Sequence, residues 1–143
     1  MAGKTLANKP KGITISGTVV SGFGEGRYFM SQEGYLEQMQ TALHYTPYAG
    51  TLNIKVPEGE LHKITELKRL SGIELSGFEK DGKRFGGATI YPAELSGVSC
   101  AVIIPKLSRH SDIIELIAEK NLRNKLSLSD GSSITVMIVS SDS

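Results

Sequence analysis

From Gly12 the chain alternates. Ile13, Ile15, Gly17 and Val19 stand against Thr14, Ser16, Thr18 and Val20, the two-residue period of a half-buried strand. The run ends in Ser21-Gly22-Phe23-Gly24-Glu25-Gly26-Arg27, which reads as a glycine-dense loop, with Tyr28-Phe29-Met30 as a short apolar patch after it. Ser31 is placed to cap a helix over 32–44. Tyr35, Leu36, Met39 and Leu43 fall at helical spacing, and Glu33, Glu37, Gln38 and Gln40 are left for solvent. Gly34 weakens the first turn. Pro47 and Gly50 end that helix, and Thr51–Val56 alternates again, with Leu52, Ile54 and Val56 on one face and Thr51, Asn53 and Lys55 on the other. Glu60–Leu70 is charged and weakly amphipathic, a short helix or an irregular excursion. Ile73–Glu79 and Lys83–Tyr91 predict a hairpin closed by Asp81-Gly82, and Gly86-Gly87 marks a bulge or a close backbone approach. Val98–Ile104 is apolar on both faces, as a fully buried strand would be. Ser111–Ala118 reads as a short helix with Ile113, Ile114 and Ile117 inward, and 121–128 as another turn or two of helix. Asp130-Gly131 turns the chain into a last strand, Ile134–Val139. Strands dominate and no regular βαβ alternation appears. The expected class is mainly β, a barrel with short helical insertions and not a parallel α/β sheet.

Composition narrows the picture. At 143 residues the chain suits one domain, expected over 12–140 behind a polar, disordered tail over 1–11. Lys and Arg number 16 against 15 Asp and Glu, too even for a general nucleic-acid binder, so no nucleic-acid partner is expected. The N-terminus lacks the apolar stretch of a signal peptide, and no apolar run approaches the roughly 18–20 residues that cross a bilayer. A cytoplasmic monomer without a membrane partner is the expectation. The single Cys100 excludes an internal disulfide and a cysteine zinc finger; it sits in the buried-strand pattern, as a small core residue would. Glycine is abundant, 16 of 143.

Four groupings could carry chemistry. Gly22, Gly24 and Gly26 at a strand end let backbone N–H groups turn toward one point, as an anion nest requires; a plain strand-end turn fits the same residues. The spacing is neither a dinucleotide fingerprint nor a Walker A loop. Thr51 and Asn53 project the same way behind Gly50, their Cα atoms roughly 6.5–7 Å apart. Two neutral oxygens suit a magnesium ion held mainly by a polyphosphate, though an exposed polar strand face would look alike. Glu115 is either part of a capping box with Asp112 or a carboxylate that accepts a hydrogen bond from a substrate hydroxyl. Lys120-Asn121-Leu122-Arg123, with Lys125 close by, is either a solvated helix start or a phosphate-neutralising segment. His44, His62 and His110 show no ligand spacing, and no Ser-His-Asp pattern exists. Few acid–base groups lie near the glycines, as befits phosphoryl transfer, where positioning and charge stabilisation dominate.

Together these segments resemble the archaeal CTP-dependent riboflavin kinases. The resemblance is carried by residues 17–29 and 47–54, then by Ile103-Ile104-Pro105-Lys106, Glu115-Leu116-Ile117-Ala118 and Leu122-Arg123, in order over about residues 13–139. It implies a compact six-stranded cradle-loop barrel that moves the γ-phosphate of CTP to the 5′-hydroxyl of riboflavin, giving FMN and CDP. Phe23, Gly24, Glu25, Gly26, Arg27 and Tyr28 match the segment wrapping the nucleotide phosphates, and Lys120, Asn121, Leu122 and Arg123 match the second nucleotide segment. Thr51 and Asn53 match a Mg²⁺-contacting pair. Ser108 and Glu115 match flavin-contacting positions, Glu115 as the group that orients or deprotonates the hydroxyl. The family usually has Thr where Ser108 stands and Pro where Glu119 stands, and the stretch between Ser108 and Glu115 is one residue short. The rival readings are an ATP-dependent riboflavin kinase, a swapped-hairpin DNA-binding regulator suggested by residues 126–131, and a non-catalytic flavin or nucleotide binder.

Overall fold

The computed structural model describes residues 12–22, 25–106 and 111–139. Nine strands are described: β1 (Gly12–Val20), β2 (Leu52–Lys55), β3 (Ile73–Leu75), β4 (Phe78–Lys80), β5 (Lys83–Phe85), β6 (Ala88–Leu95), β7 (Val98–Pro105), β8 (Ile113–Ala118) and β9 (Ser133–Val139). The helices are α1 (Glu25–Met30), α2 (Glu33–Leu43), α3 (Leu61–Arg69), preceded by a 3-10 turn over Glu58–Glu60, and α4 (Leu122–Lys125). Six strands close a barrel in the order β6-β7-β8-β2-β1-β9, with β9 returning to β6 and every pairing antiparallel. The expected six-stranded, mainly β barrel with short helical insertions is what the chain forms. Closure leaves those six strands no free edge; β3 adds to β6 outside the ring.

Inward residues follow the pleat. Ile15 and Val19 of β1, Leu52 and Ile54 of β2, Cys100 and Val102 of β7, Ile114, Leu116 and Ala118 of β8, and Ile134, Val136 and Ile138 of β9 fill the interior. Ile64 and Leu67 of α3 join this cluster, and the Ser16 amide donates to Glu60 Oε1 at 3.0 Å beside it. A second cluster lies outside the wall. Met30, Tyr35 and Met39 pack with Leu75, Phe85, Ile90, Ala101 and Ile117. β7 and β8 are therefore buried on both faces over part of their length, which is why apolar residues stand side by side in Cys100–Ile104 and in Leu116-Ile117-Ala118.

This double burial corrects the helix expected over Ser111–Ala118: the segment is β8. Its isoleucines are β-branched, and Leu116 and Ile117 are buried on opposite faces, which one helical stripe would not require. The capping box of Asp112 and Glu115 falls with it. The glycine-dense stretch also differs, since the chain is helical from Glu25 through Arg27 and the apolar patch Tyr28–Met30. Gln32, not Ser31, is the N-cap of α2, with no side-chain cap bond; Ser31 Oγ donates back to the Tyr28 carbonyl at 2.7 Å. The excursion over 60–70 is helical. The predicted hairpin exists but is jointed. β4 and β5 pair around Asp81-Gly82, β3 pairs with β6, and both arms break at Gly77 and Gly86-Gly87. A Cβ at Gly77 would lie 2.5 Å from the Phe85 carbonyl oxygen, so the close backbone approach is real. β6 runs on to Leu95, where Ser96 and Gly97, both at positive φ, reverse the chain. The polar tail over 1–11 lies outside the described residues. No helix among the described residues is long and apolar enough to cross a membrane.

Candidate active site

The outer face of the barrel is covered where α2 and the hairpin lie. Across β1, β2 and β8 it opens into a cleft of about 860 Å³. β2 builds its floor. Because Leu52 and Ile54 point inward, Thr51 and Asn53 face out, and the register sets Asn53 opposite Glu115 on β8 and opposite Val20 on β1. Thr51 Oγ1 donates to Glu115 Oε1 at 2.7 Å. With its proton so directed, the hydroxyl keeps lone pairs for a cation or a second donor. The Asn53 amide makes no hydrogen bond to any described residue. It is packed against Gly22 so closely that a Cβ there would stand 2.3 Å from Nδ2. Gly22 is thus bare because Asn53 occupies the space.

The cleft's second wall is basic. Lys120, Asn121, Leu122 and Arg123 line it, as does Arg27 from α1. Asn121 Oδ1 accepts the Asn124 amide at 3.1 Å and so caps α4. Leu122 is buried in the barrel interior, which anchors this short helix and leaves only its backbone for a ligand. Arg123 Nη2 donates to Asp130 Oδ1 at 2.6 Å and to the Val20 carbonyl at 3.2 Å, while Ser21 Oγ donates to Asp130 Oδ2 at 2.5 Å. These bonds, Ser21's first and Arg123's second, hold the Asp130 carboxyl below its usual range.

The structure therefore brings together Thr51, Asn53, Glu115, Arg27 and residues 120–123, which lie far apart in sequence. Tyr28 is not among the cleft-lining residues. Its exposed ring packs near Phe85 at 6.0 Å between centroids and lies under Lys83 Nζ at 5.1 Å. Phe23, Gly24 and Ser108 fall outside the described residues, and of Glu25 and Gly26 only the helical backbone is described. Several lining residues were not singled out from sequence. Tyr48, exposed at the rim, is fixed by its amide bonding to the Ala118 carbonyl at 2.7 Å. Lys55 and Asp112 close the far end as an ion pair at 3.1 Å. Lys55 shares its β2 face with Thr51 and Asn53, so the alternation that exposed that pair also exposed Lys55. The sequence marks Asp130 only as a turn residue and Ser21 only as part of the glycine-dense stretch; their meeting follows from the pairing of β1 with β9.

Residues 19–138 match the family model CTP-dep_RFKase, described as domain of unknown function DUF120. The chain is 38% identical over 126 residues to a protein of Thermoplasma acidophilum named riboflavin kinase, 88% of this chain and 57% of that protein. It is 42% identical over 134 residues to a riboflavin kinase of Ignicoccus hospitalis, 93% of this chain and 74% of that protein. A riboflavin kinase of Haloquadratum walsbyi is 38% identical over 132 residues, with 88% and 56% covered. The chain thus spans little more than half the length of the Thermoplasma and Haloquadratum relatives. The match over residues 19–138, together with a relative at 42% identity that is covered over 74% of its length, makes this chain a member of the CTP-dep_RFKase family.

Proposed function

We propose that the chain is a riboflavin kinase that transfers the γ-phosphate of CTP to the riboflavin 5′-hydroxyl, releasing CDP and FMN. The observation that carries this reading is a cleft in which the Glu115 carboxylate, the Thr51 and Asn53 side chains and the basic 120–123 segment converge. The relatives' shared name, riboflavin kinase, supports the acceptor. The family model's name supports CTP as donor.

The residues divide the work. Lys120, Arg123 and Arg27 offer positive charge to the triphosphate. Thr51 Oγ1 and Asn53 Oδ1 fit a magnesium ion that takes its remaining ligands from phosphate and water, since two neutral oxygens are too few to hold one alone. No group of three or more His, Cys, Asp or Glu able to hold a metal is found among the described residues. Bound there, the ion would draw charge from the transferring phosphoryl oxygens. Glu115 accepts the acceptor hydroxyl's hydrogen bond and lines that oxygen up for in-line attack, while Thr51 holds the carboxylate still. The O–P bond to the acceptor forms as the bond to the CDP oxygen breaks, and the hydroxyl proton leaves to Glu115 or water.

The test is incubation with riboflavin, Mg²⁺ and each of CTP, ATP, GTP and UTP, followed by chromatography for FMN. FMN with CTP alone is expected. FMN with ATP in preference would overturn the donor assignment, and no FMN with any nucleotide would overturn the kinase. Glu115→Gln is expected to lower kcat by about 10²-fold or less, because a loose transition state needs little base catalysis. Thr51→Ala/Asn53→Ala should lose more; full activity of that double variant at limiting Mg²⁺ would remove the metal assignment.

A further inference from the structure

Asp130 stands in the turn before β9, where nothing in the kinase reading places a role. That turn is rigid. The Gly131 amide donates to the Val19 carbonyl at 2.9 Å, and the Val19 amide donates to the Ser132 carbonyl at 2.9 Å. Gly131 takes a φ of 95°, which suits glycine. From this base the carboxylate divides its oxygens, Oδ1 to Arg123 and Oδ2 to Ser21. Ser21 and Val20 are the residues that hand β1 over to the glycine segment. Arg123 belongs to a helix of only four residues. Both Arg123 contacts use Nη2; among the described residues neither Nη1 nor Nε makes a hydrogen bond, and the side chain lines the cleft.

We propose, resting on the kinase reading, that Asp130 is a positioning residue for nucleotide binding: it aims the Arg123 guanidinium into the cleft and ties it, through Ser21, to the strand end that carries the glycine segment. Two effects compete. A carboxylate near a phosphate site repels the anion, but Asp130 is 57% exposed and solvent and salt screen it. Against that, an unanchored arginine must be ordered when the phosphate binds, at a cost that the preformed pair has already met. Ordering is the larger effect, so losing Asp130 weakens nucleotide binding although a negative charge is removed.

The experiment compares the wild-type chain with Asp130→Asn, Asp130→Ala and Ser21→Ala. CTP and riboflavin are varied separately in steady-state kinetics, and CDP is titrated into the chain without riboflavin. Both Asp130 variants should raise the CTP KM and the CDP Kd about three- to tenfold, the factor that ordering one long side chain is worth. The riboflavin KM and kcat should stay within about twofold, and Ser21→Ala should shift CDP binding less, in the same direction. Asp130→Asn is nearly isosteric and guards against a folding artefact. Unchanged or tighter CDP binding in Asp130→Asn overturns the proposal, as does a riboflavin KM that rises alongside. If the wild type makes no FMN the kinase reading fails, and the CDP titration still decides whether Asp130 governs nucleotide binding.

Discussion

At the residue scale, the glycines of the opening loop do different things. An abundance of glycine suggests a phosphate nest, but Gly22 has a steric duty that needs no phosphate. Its missing Cβ is the space taken by the Asn53 amide. Because that amide is the far end of a flexible side chain, Gly22→Ala can be accommodated by turning Asn53, and thermal stability should barely change. The cost should fall on the site. We expect the Mg²⁺ concentration for half-maximal activity to rise about tenfold, the scale typical of disturbed metal-supporting contacts. A Mg²⁺ titration of Gly22→Ala beside wild type checks this, and an unchanged midpoint would mean that Asn53 does not serve the ion. Gly34 makes the same point inside a helix. Helix propensity favours Ala there by about 1 kcal/mol. Yet a Cβ at Gly34 would meet the Phe78 ring at 2.5 Å, and overpacking of this kind costs about 1–3 kcal/mol. Gly34→Ala is therefore expected to destabilise the chain in urea unfolding. The loss should shrink in the Gly34→Ala/Phe78→Leu pair relative to the sum of the single variants; strict additivity would show that the ring is not the obstacle.

At the scale of elements, the strands with one solvated face were legible and those with two buried faces were not always. β1, β2 and β9 alternate cleanly, and their inward and outward residues fall where the pattern puts them. β8 does not alternate, because Ile117 packs under α2 while Leu116 packs inside the barrel. So short a stretch, apolar but for Glu115, cannot be assigned by period alone, and Ile113, Ile114 and Ile117 also fit a helical stripe. The error had a chemical consequence. In a helix Glu115 would either cap with Asp112 or face a substrate hydroxyl; in the strand it is the cross-strand neighbour of Asn53. The Thr51/Asn53 pair and Glu115 were each visible as candidates, while the adjacency of Glu115 to that pair came only with the register. The hairpin shows the complementary case. Its turn was legible in Asp81-Gly82, whereas the joint at Gly77 and Gly86-Gly87 is set by backbone contacts between its two arms.

At the scale of the whole molecule, folding buries two groups that ionise in alkaline solution. Cys100 faces the interior, and burial first, then the Glu94 charge, pushes its thiol from an ordinary 9.0 up to about 12. The Tyr45 phenol is likewise pushed from 10.0 to about 12, by burial first and then by Cys100 and Glu119. Its hydroxyl is buried without a hydrogen-bond partner among the described residues. Raised pKa values mean that the folded chain keeps protons which the unfolded chain releases. The stability these groups allow is intact below pH 9 and falls as pH rises toward 12, by at most about 1.4 kcal/mol per pH unit for each proton so held and by less at half-buried Tyr45, which solvent screens. Cys100 should act from pH 9 and Tyr45 from pH 10. Urea unfolding of wild type between pH 7 and 11 should show this decline, and Cys100→Ala/Tyr45→Phe should show a shallower one whatever its stability at pH 7. Tyr45→Phe alone should keep or raise stability at neutral pH, because it removes a hydroxyl whose burial is not compensated. Parallel pH slopes for the double variant and wild type would mean that solvent reaches both groups, and that neither is held protonated by the fold.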